Sequence, residues 1–330
     1  MTGPVIDVAG IVFDDEGWEE YLLGFARRAP HYLRVFERRF ASMAGISAEE
    51  YRRVARRGPE ALARHLAATG RLGTDPDDHV ARLAEQGVRH QILLGAPAAS
   101  PAGNDRLAAF AARHPDRLRA WAGLDLRHGA AAARELTRCV RELGMSGGTL
   151  VHFMDDADPL SAASRSVYET AARLGVPLWL HVGHNLSPVS AVDTCTWRHI
   201  DVIARTHPDL TIICGHGGWP WVLETVAVCQ RHPNVYLEFS TYRARHMALP
   251  GSGWEPLFAY GRTTIRDKVL FGSVEWAHGR SVGELAEEVA SLDLPSSTVR
   301  RWLHDNAAAA LTVPAGHESP GALAGERRAV

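Results

Sequence analysis

The feature that most limits how this chain can fold is an alternation of short apolar runs with longer stretches of helical spacing. It starts near residue 90 and continues to the C-terminal region. Residues 90–94, 118–126, 147–153, 178–182, 210–214, 235–240 and 269–273 read as strands. Several are apolar at successive positions, as strands covered on both faces are. Residues 104–113, 130–143, 161–174, 196–206 and 219–231 carry the helical period, as do 282–291 and 296–311. Residues 5–12, VIDVAGIV, add a first strand. Eight strands, each followed by helical sequence, imply an α/β fold with a parallel sheet. Eight such units close into a (β/α)8 TIM barrel. An open doubly wound sheet is the runner-up, but no GxGxxG follows a strand and there is no P-loop.

The first connection is unusually long. Residues 14–78 read as a helical insertion, a lid on the barrel, with Tyr21, Leu22, Phe25, Tyr32, Leu33, Phe36 and Phe40 at helical spacing. Within it Ser47 and Glu50 have the spacing of a helix cap. Residues 1–313 therefore read as one barrel domain. Residues 314–330, rich in Gly, Ala, Pro and charge, read as a disordered tail.

Charge excludes several classes of partner. The net charge is −2, so neither nucleic acid nor an anionic membrane surface is indicated. No run approaches the roughly 20 apolar residues of a membrane span. The N-terminus, MTGPVIDVAG, lacks a charged segment leading into a long apolar run, so no signal peptide is expected. Cys139, Cys195, Cys214 and Cys229 lie in apolar contexts without metal-binding spacing and read as reduced core residues. The expected setting is the cytoplasm and the expected partner a small molecule.

Two strand ends carry the chemistry. LTIICGHGGWPW (210–221) runs as a buried strand into His216, then turns on two glycines, with Pro220 suited to the first turn of a helix. PLWLHVGH (177–184) repeats the arrangement, ending its strand on His181 with His184 just beyond. In α/β proteins this end of the sheet is where ligands bind. A histidine that merely ends a strand is the bland alternative.

These stretches resemble the amidohydrolase superfamily, in the branch holding aminocarboxymuconate-semialdehyde decarboxylase, γ-resorcylate decarboxylase and pyrone-dicarboxylate lactonase. The matching pieces are IDVAGI at Ile6, GMSGGTLVHF at Gly144, PLWLHVGH at Pro177, GHGGWPW at Gly215, NVYLEFS at Asn234, KVLFGSVEW at Lys268 and HDNAAAAL at His304. The resemblance implies one divalent metal at the barrel mouth. Its ligands would be an HxH pair on strand one, a histidine ending strand five and an aspartate ending strand eight, with an acid–base histidine ending strand six. His181 matches the strand-five ligand and His216 the strand-six histidine. The HxH positions fall on Ala9 and Ile11, and the aspartate position on Val274, with Glu275 beside it.

Those departures dominate the reading. A catalytic zinc normally has three protein ligands and a water, and one matching ligand remains. The only lysine, Lys268, begins strand eight at the far end of the barrel, so neither a carboxylated lysine nor a Schiff base is indicated. The expectation is no metal and no other cofactor, a zinc site being the minority alternative. A rebuilt site would draw on His181, His184, Glu275 and either His152 or His278.

Without a metal, His181, His216 and Glu275 are the expected catalytic residues, since imidazoles near a carboxylate suit general acid–base work. His184, Trp219, Trp276, Arg243 and His152 are the expected substrate-binding residues, Arg243 for a substrate carboxylate. Asp7 and Asn306 read as structural. The expected function is metal-independent proton-transfer chemistry on a small aromatic or polyketide-like substrate: decarboxylation, lactone or ester hydrolysis, or cyclisation or rearrangement. A metal-dependent enzyme with a relocated site and an inactive ligand- or partner-binding barrel are the alternatives. The family resemblance adds an expected homodimer.

Overall fold

The computed structural model describes residues 3–311. The expected tail, 314–330, lies outside them. Eight parallel strands follow one another in sequence order: β1 Val5–Gly10, β2 Val88–Leu94, β3 Leu118–Gly123, β4 Gly148–Leu150, β5 Leu178–His181, β6 Ile212–Gly215, β7 Val235–Glu238 and β8 Val269–Leu270. Backbone hydrogen bonds from Val8 N to Phe271 O (2.9 Å) and from Val274 N to Ala9 O (2.8 Å) join the last strand to the first. The sheet is thus a (β/α)8 barrel, as the strand–helix rhythm implies.

One buried carboxylate ties the seam. Asp7 on β1 accepts from Gln91 Nε2 of β2 (2.7 Å), from Ala9 N (3.1 Å), and from Ser273 N (2.9 Å) and Oγ (2.6 Å) beyond β8. Four donors thus converge on Asp7 and tie β1 to β2 and to the end of β8.

The long first connection folds as five helices, α1 Asp15–Arg28, α2 His31–Val35, α3 Glu37–Ala44, α4 Ala48–Ala55 and α5 Pro59–Ala67, before α6 Pro76–Glu85 leads into β2. Asp14 caps α1, accepting from Gly17 N at 2.7 Å. Ser47 caps α4 through Glu50 N at 3.1 Å, but Glu50 turns away to His65. The apolar spacing read from sequence becomes an aromatic seam. Tyr21 packs edge-on against Phe25 (4.9 Å), which stacks on Tyr32. Phe36 and Phe40 both contact Trp276, each at a centroid distance of 5.0 Å. The insertion is therefore docked to the mouth of the barrel by large apolar surfaces, each aromatic pair adding about 0.5–1.5 kcal/mol beyond burial.

The outer layer continues with α7 Pro101–Ala112, α8 Gly129–Glu142, α9 His152–Asp155, α10 Ala162–Leu174, α11 Trp197–Thr206, α12 Val222–Arg231, α13 Ala244–Met247, α14 Glu255–Tyr260, α15 Glu275–His278, α16 Val282–Ala290, α17 Ser296–Arg300 and α18 Asn306–Ala310. Two expectations shift. The strand expected over 147–153 stops at Leu150, and His152 opens a helical turn instead. Pro220 does not start a helix: it follows a cis bond from Trp219, and α12 begins at Val222. Among the described residues no helix is long and apolar enough to cross a membrane.

Candidate active site

Strands β5 to β8 deliver their C-terminal ends to one small chamber beneath α1 and α2. Its volume is about 90 Å³. Ile11, Val151, Phe153, Val274 and Trp276 form much of its wall, Tyr21, Phe25, Tyr32 and Phe36 its roof, and His181 and His216 its polar floor. Among the described residues, none that lines it is an arginine, a lysine or a carboxylate.

His216 is held from behind. Its Nδ1 lies 3.2 Å from the Ser240 carbonyl, 3.0 Å from Ser240 Oγ and 3.2 Å from Thr241 Oγ1. A carbonyl only accepts, so Nδ1 carries the hydrogen at rest and Nε2 presents a lone pair to the chamber. Burial pushes the imidazole down to about 4, so the ring is neutral near pH 7. His181 packs edge-on against it with centroids 4.8 Å apart. Burial, then the neighbouring His216 and His184, holds His181 well below the usual histidine range.

The turns that aim these groups are strained. His216 (φ 63°), Thr241 (φ 65°) and Val274 (φ 43°) all adopt left-handed backbone just after β6, β7 and β8, and all three line the chamber. Non-glycine residues there cost on the order of 1–3 kcal/mol each, and such strain collects at functional sites. Gly217 and Gly218 continue the left-handed turn after His216 at φ 64° and 72°, which explains the glycine pair seen in the sequence.

A carboxyl that sequence reading passed over completes the site. Glu238 ends β7 and is fully buried. It accepts from Trp179 Nε1 at 3.0 Å, from Ser240 Oγ at 2.9 Å and from Ser240 N. Gly272 makes room for it, since a Cβ there would sit 2.4 Å from Glu238 Oε1. Burial pushes Glu238 up to about 7, against the lowering by its hydrogen bonds, with Asp7 adding to the rise. The available signal was a glutamate inside the apolar run VYLEF, because a fully buried carboxyl is rare without a partner. Thr149 was missed too. Its buried Oγ1 has no hydrogen-bond partner among the described residues, and the residue lines the chamber.

The remaining expected site residues divide. Trp276 lines the chamber as expected. Glu275 does not: the left-handed turn at Val274 sends it into a neighbouring cleft with His79, Arg39 and Arg82, where its Oε2 lies 3.0 Å from Ser273 Oγ. Burial and the Asp7 carboxylate push its pKa up. His152 points outward, 2.9 Å from Tyr168 OH of α10, because β4 ends before it. Arg243 is paired with Glu288 of α16 through Nε at 2.9 Å and through Nη2, and lies outside the chamber. Trp219 donates Nε1 to Ser252 O (2.9 Å) and packs on His184 outside the chamber wall. His184 Nδ1 lies 3.5 Å from Tyr242 OH.

The side chains at the ligand positions do not fit the divalent metal that the resemblance implies. Ala9, Ile11 and Val274 have no donor side-chain atoms, and the relocated set is scattered by the placements of Glu275 and His152. Among the described residues no three His, Cys, Asp or Glu side chains are grouped to hold an ion.

The family model described as amidohydrolase matches residues 31–313. Among curated relatives, the chain is 36% identical over 124 residues to γ-resorcylate decarboxylase of Polaromonas, covering 32% of this chain and 38% of that one. It is 29% identical over 197 residues to decarboxylase orsB of Emericella nidulans, covering 52% and 56%. The chain thus spans about two fifths to just over half the length of the curated relatives it matches. Among crystal structures, an uncharacterised TIM-barrel protein of Bordetella bronchiseptica superposes with a TM-score of 0.64 at 21% identity, covering 94% of this chain and 99% of that one. A dihydroxybenzoic acid decarboxylase of Polaromonas, crystallised with manganese and 2-nitroresorcinol, superposes with a TM-score of 0.62 at 19% identity, covering 94% and 97%.

Proposed function

The chain belongs to the amidohydrolase family, and from that premise we propose that it decarboxylates a small hydroxylated aromatic acid by proton transfer at His216, without a metal ion. The observation that carries the reading is a neutral imidazole, fixed from behind by Ser240, facing an apolar chamber with no cationic side chain in its lining. Relatives named as decarboxylases of aromatic acids support the reaction class.

The chemistry follows from the electrostatics. A chamber without a cation takes up the substrate as its neutral acid, because an unpaired carboxylate there is costly. The acid's proton passes to His216 Nε2, leaving a carboxylate in an apolar surrounding that favours loss of charge. Nε2 then delivers the proton to the ring carbon that bears the carboxylate, the bond from that carbon to the carboxyl carbon breaks with its electron pair restoring the aromatic ring, and CO2 leaves. Atoms and charge balance: one neutral acid gives one arene and one CO2. Ring hydroxyls make the carbon basic enough to accept the proton, and Thr149 Oγ1 is placed to receive one. About 90 Å³ is less than the roughly 150 Å³ cavity that takes up benzene. A ring therefore enters only as the α1 and α2 aromatics move outward.

The test is a panel of hydroxy- and dihydroxybenzoic acids, with and without ring methyls, incubated with the protein in D2O. The expected result is CO2 together with an arene carrying one deuterium at the vacated carbon. A protein that binds these acids but releases no CO2 from any of them would contradict the reading. The cation-free lining also suits a neutral lactone or ester, so hydrolysis of the matching esters is the second reading, distinguished by the release of an alcohol instead of CO2.

A further inference from the structure

We infer that Glu238 and Ser240 form a proton relay behind His216, taking the ring's Nδ1 hydrogen while Nε2 takes the substrate's, so that the imidazole passes protons without holding a charge. This rests on His216 being the acid–base residue of the chamber, and it names two positioning residues for that role.

The geometry is a continuous chain. Glu238 Oε2 lies 2.9 Å from Ser240 Oγ, which lies 3.0 Å from His216 Nδ1. Every link joins groups that both donate and accept. With Glu238 ionised, the Ser240 hydroxyl donates to it and accepts from Nδ1–H, and Nε2 is a base. With Glu238 protonated, its hydroxyl donates to Ser240 Oγ, Ser240 donates to Nδ1, and Nε2–H is an acid. Moving between the two states shifts three protons by one hydrogen bond each and leaves the ring neutral.

A neutral ring matters here. Burial disfavours imidazolium at His216, so an acid–base cycle through the charged ring would run uphill. Glu238 is also buried, but it has three donors around it, and its pKa is raised to about 7. Near neutral pH it holds or releases a proton at little cost. The Ser240 carbonyl, 3.2 Å from Nδ1, favours Nδ1–H at rest, and this makes the Nε2–H form the readier donor. Thr241 Oγ1, at 3.2 Å, is free to rotate and serve either form. The other titratable groups around the relay are Asp7 on β1, His181 at the end of β5, His184 beyond it and His278 on α15. Burial holds all three histidines below the usual range, so none supplies a competing charge near pH 7.

The test reads the tautomer directly. The full chain is labelled with 15N-histidine, and the His216 signals are assigned by their loss in His216→Asn. The expected result is Nδ1–H above about pH 8 and Nε2–H below about pH 6, with no imidazolium between. Glu238→Gln and Ser240→Ala, with melting temperatures near wild type, should abolish the conversion. On the substrate turned over, Glu238→Gln should lower kcat by roughly 10–100-fold with KM unchanged and flatten the pH profile near 7. A ring that stays Nδ1–H throughout would overturn the relay. So would one that becomes imidazolium in this range, or a conversion that persists in folded Glu238→Gln. Because the NMR reading needs no turnover, it separates failure of the relay from failure of the decarboxylase assignment.

Discussion

Replacing His216 with asparagine should lower turnover by about 10³-fold while the barrel stays folded. General acid–base groups contribute roughly 10²–10⁴-fold, and among the described residues no second group is held as His216 is. Glu275 opens on another cleft, and His181 lacks the Ser240 contact that fixes a tautomer. Asparagine preserves a donor toward the Ser240 carbonyl, so the strained turn keeps its anchor. The check is a single-turnover rate beside a thermal melt. Turnover within a few-fold of wild type would remove His216 from the mechanism.

Asp7→Ala should cost about 3–5 kcal/mol of stability, because it leaves several buried donors without their shared acceptor. It strips the acceptor from Ala9 N, Gln91 Nε2, Ser273 N and Ser273 Oγ at once. Each buried donor left unsatisfied costs about 1–3 kcal/mol, partly recovered by relaxation. These groups hold β1 to β2 and to the end of β8, so the seam of the barrel is what loosens. Urea unfolding measures the loss. A change below about 1 kcal/mol would mean that the seam is held by packing alone.

The barrel was legible because its strands are apolar runs cut by glycines and its helices carry a clean period, as in LTIICGHGG and the stretch into α10. The lid aromatics were legible for the same reason, though not that Phe36 and Phe40 would meet Trp276. His181 ends β5 and His216 directly follows β6, as read, because the apolar runs that lead into them are strands. Glu275 and His152 lie in the turns that follow β8 and β4, where a few dihedrals decide the direction of a side chain. The left-handed turn at Val274 reverses Glu275, and the early end of β4 reverses His152. Neither Val274 nor Leu150 announces such a change. Arg243 was misjudged for a different reason: its partner Glu288 lies 45 residues away, and a long-range ion pair leaves no local trace. Glu238 was visible as a charge in an apolar strand, but its value depends on Ser240 and His216 closing around it.

The central claim is that this site works by proton transfer without an ion, and metal content measured beside turnover tests it most directly. Protein prepared without a His-tag and dialysed against a strong chelator should carry less than about 0.1 ion per chain and keep its full decarboxylation rate, with no gain from added manganese or zinc. An ion bound one per chain, with turnover lost on its removal and restored on its return, would contradict the account.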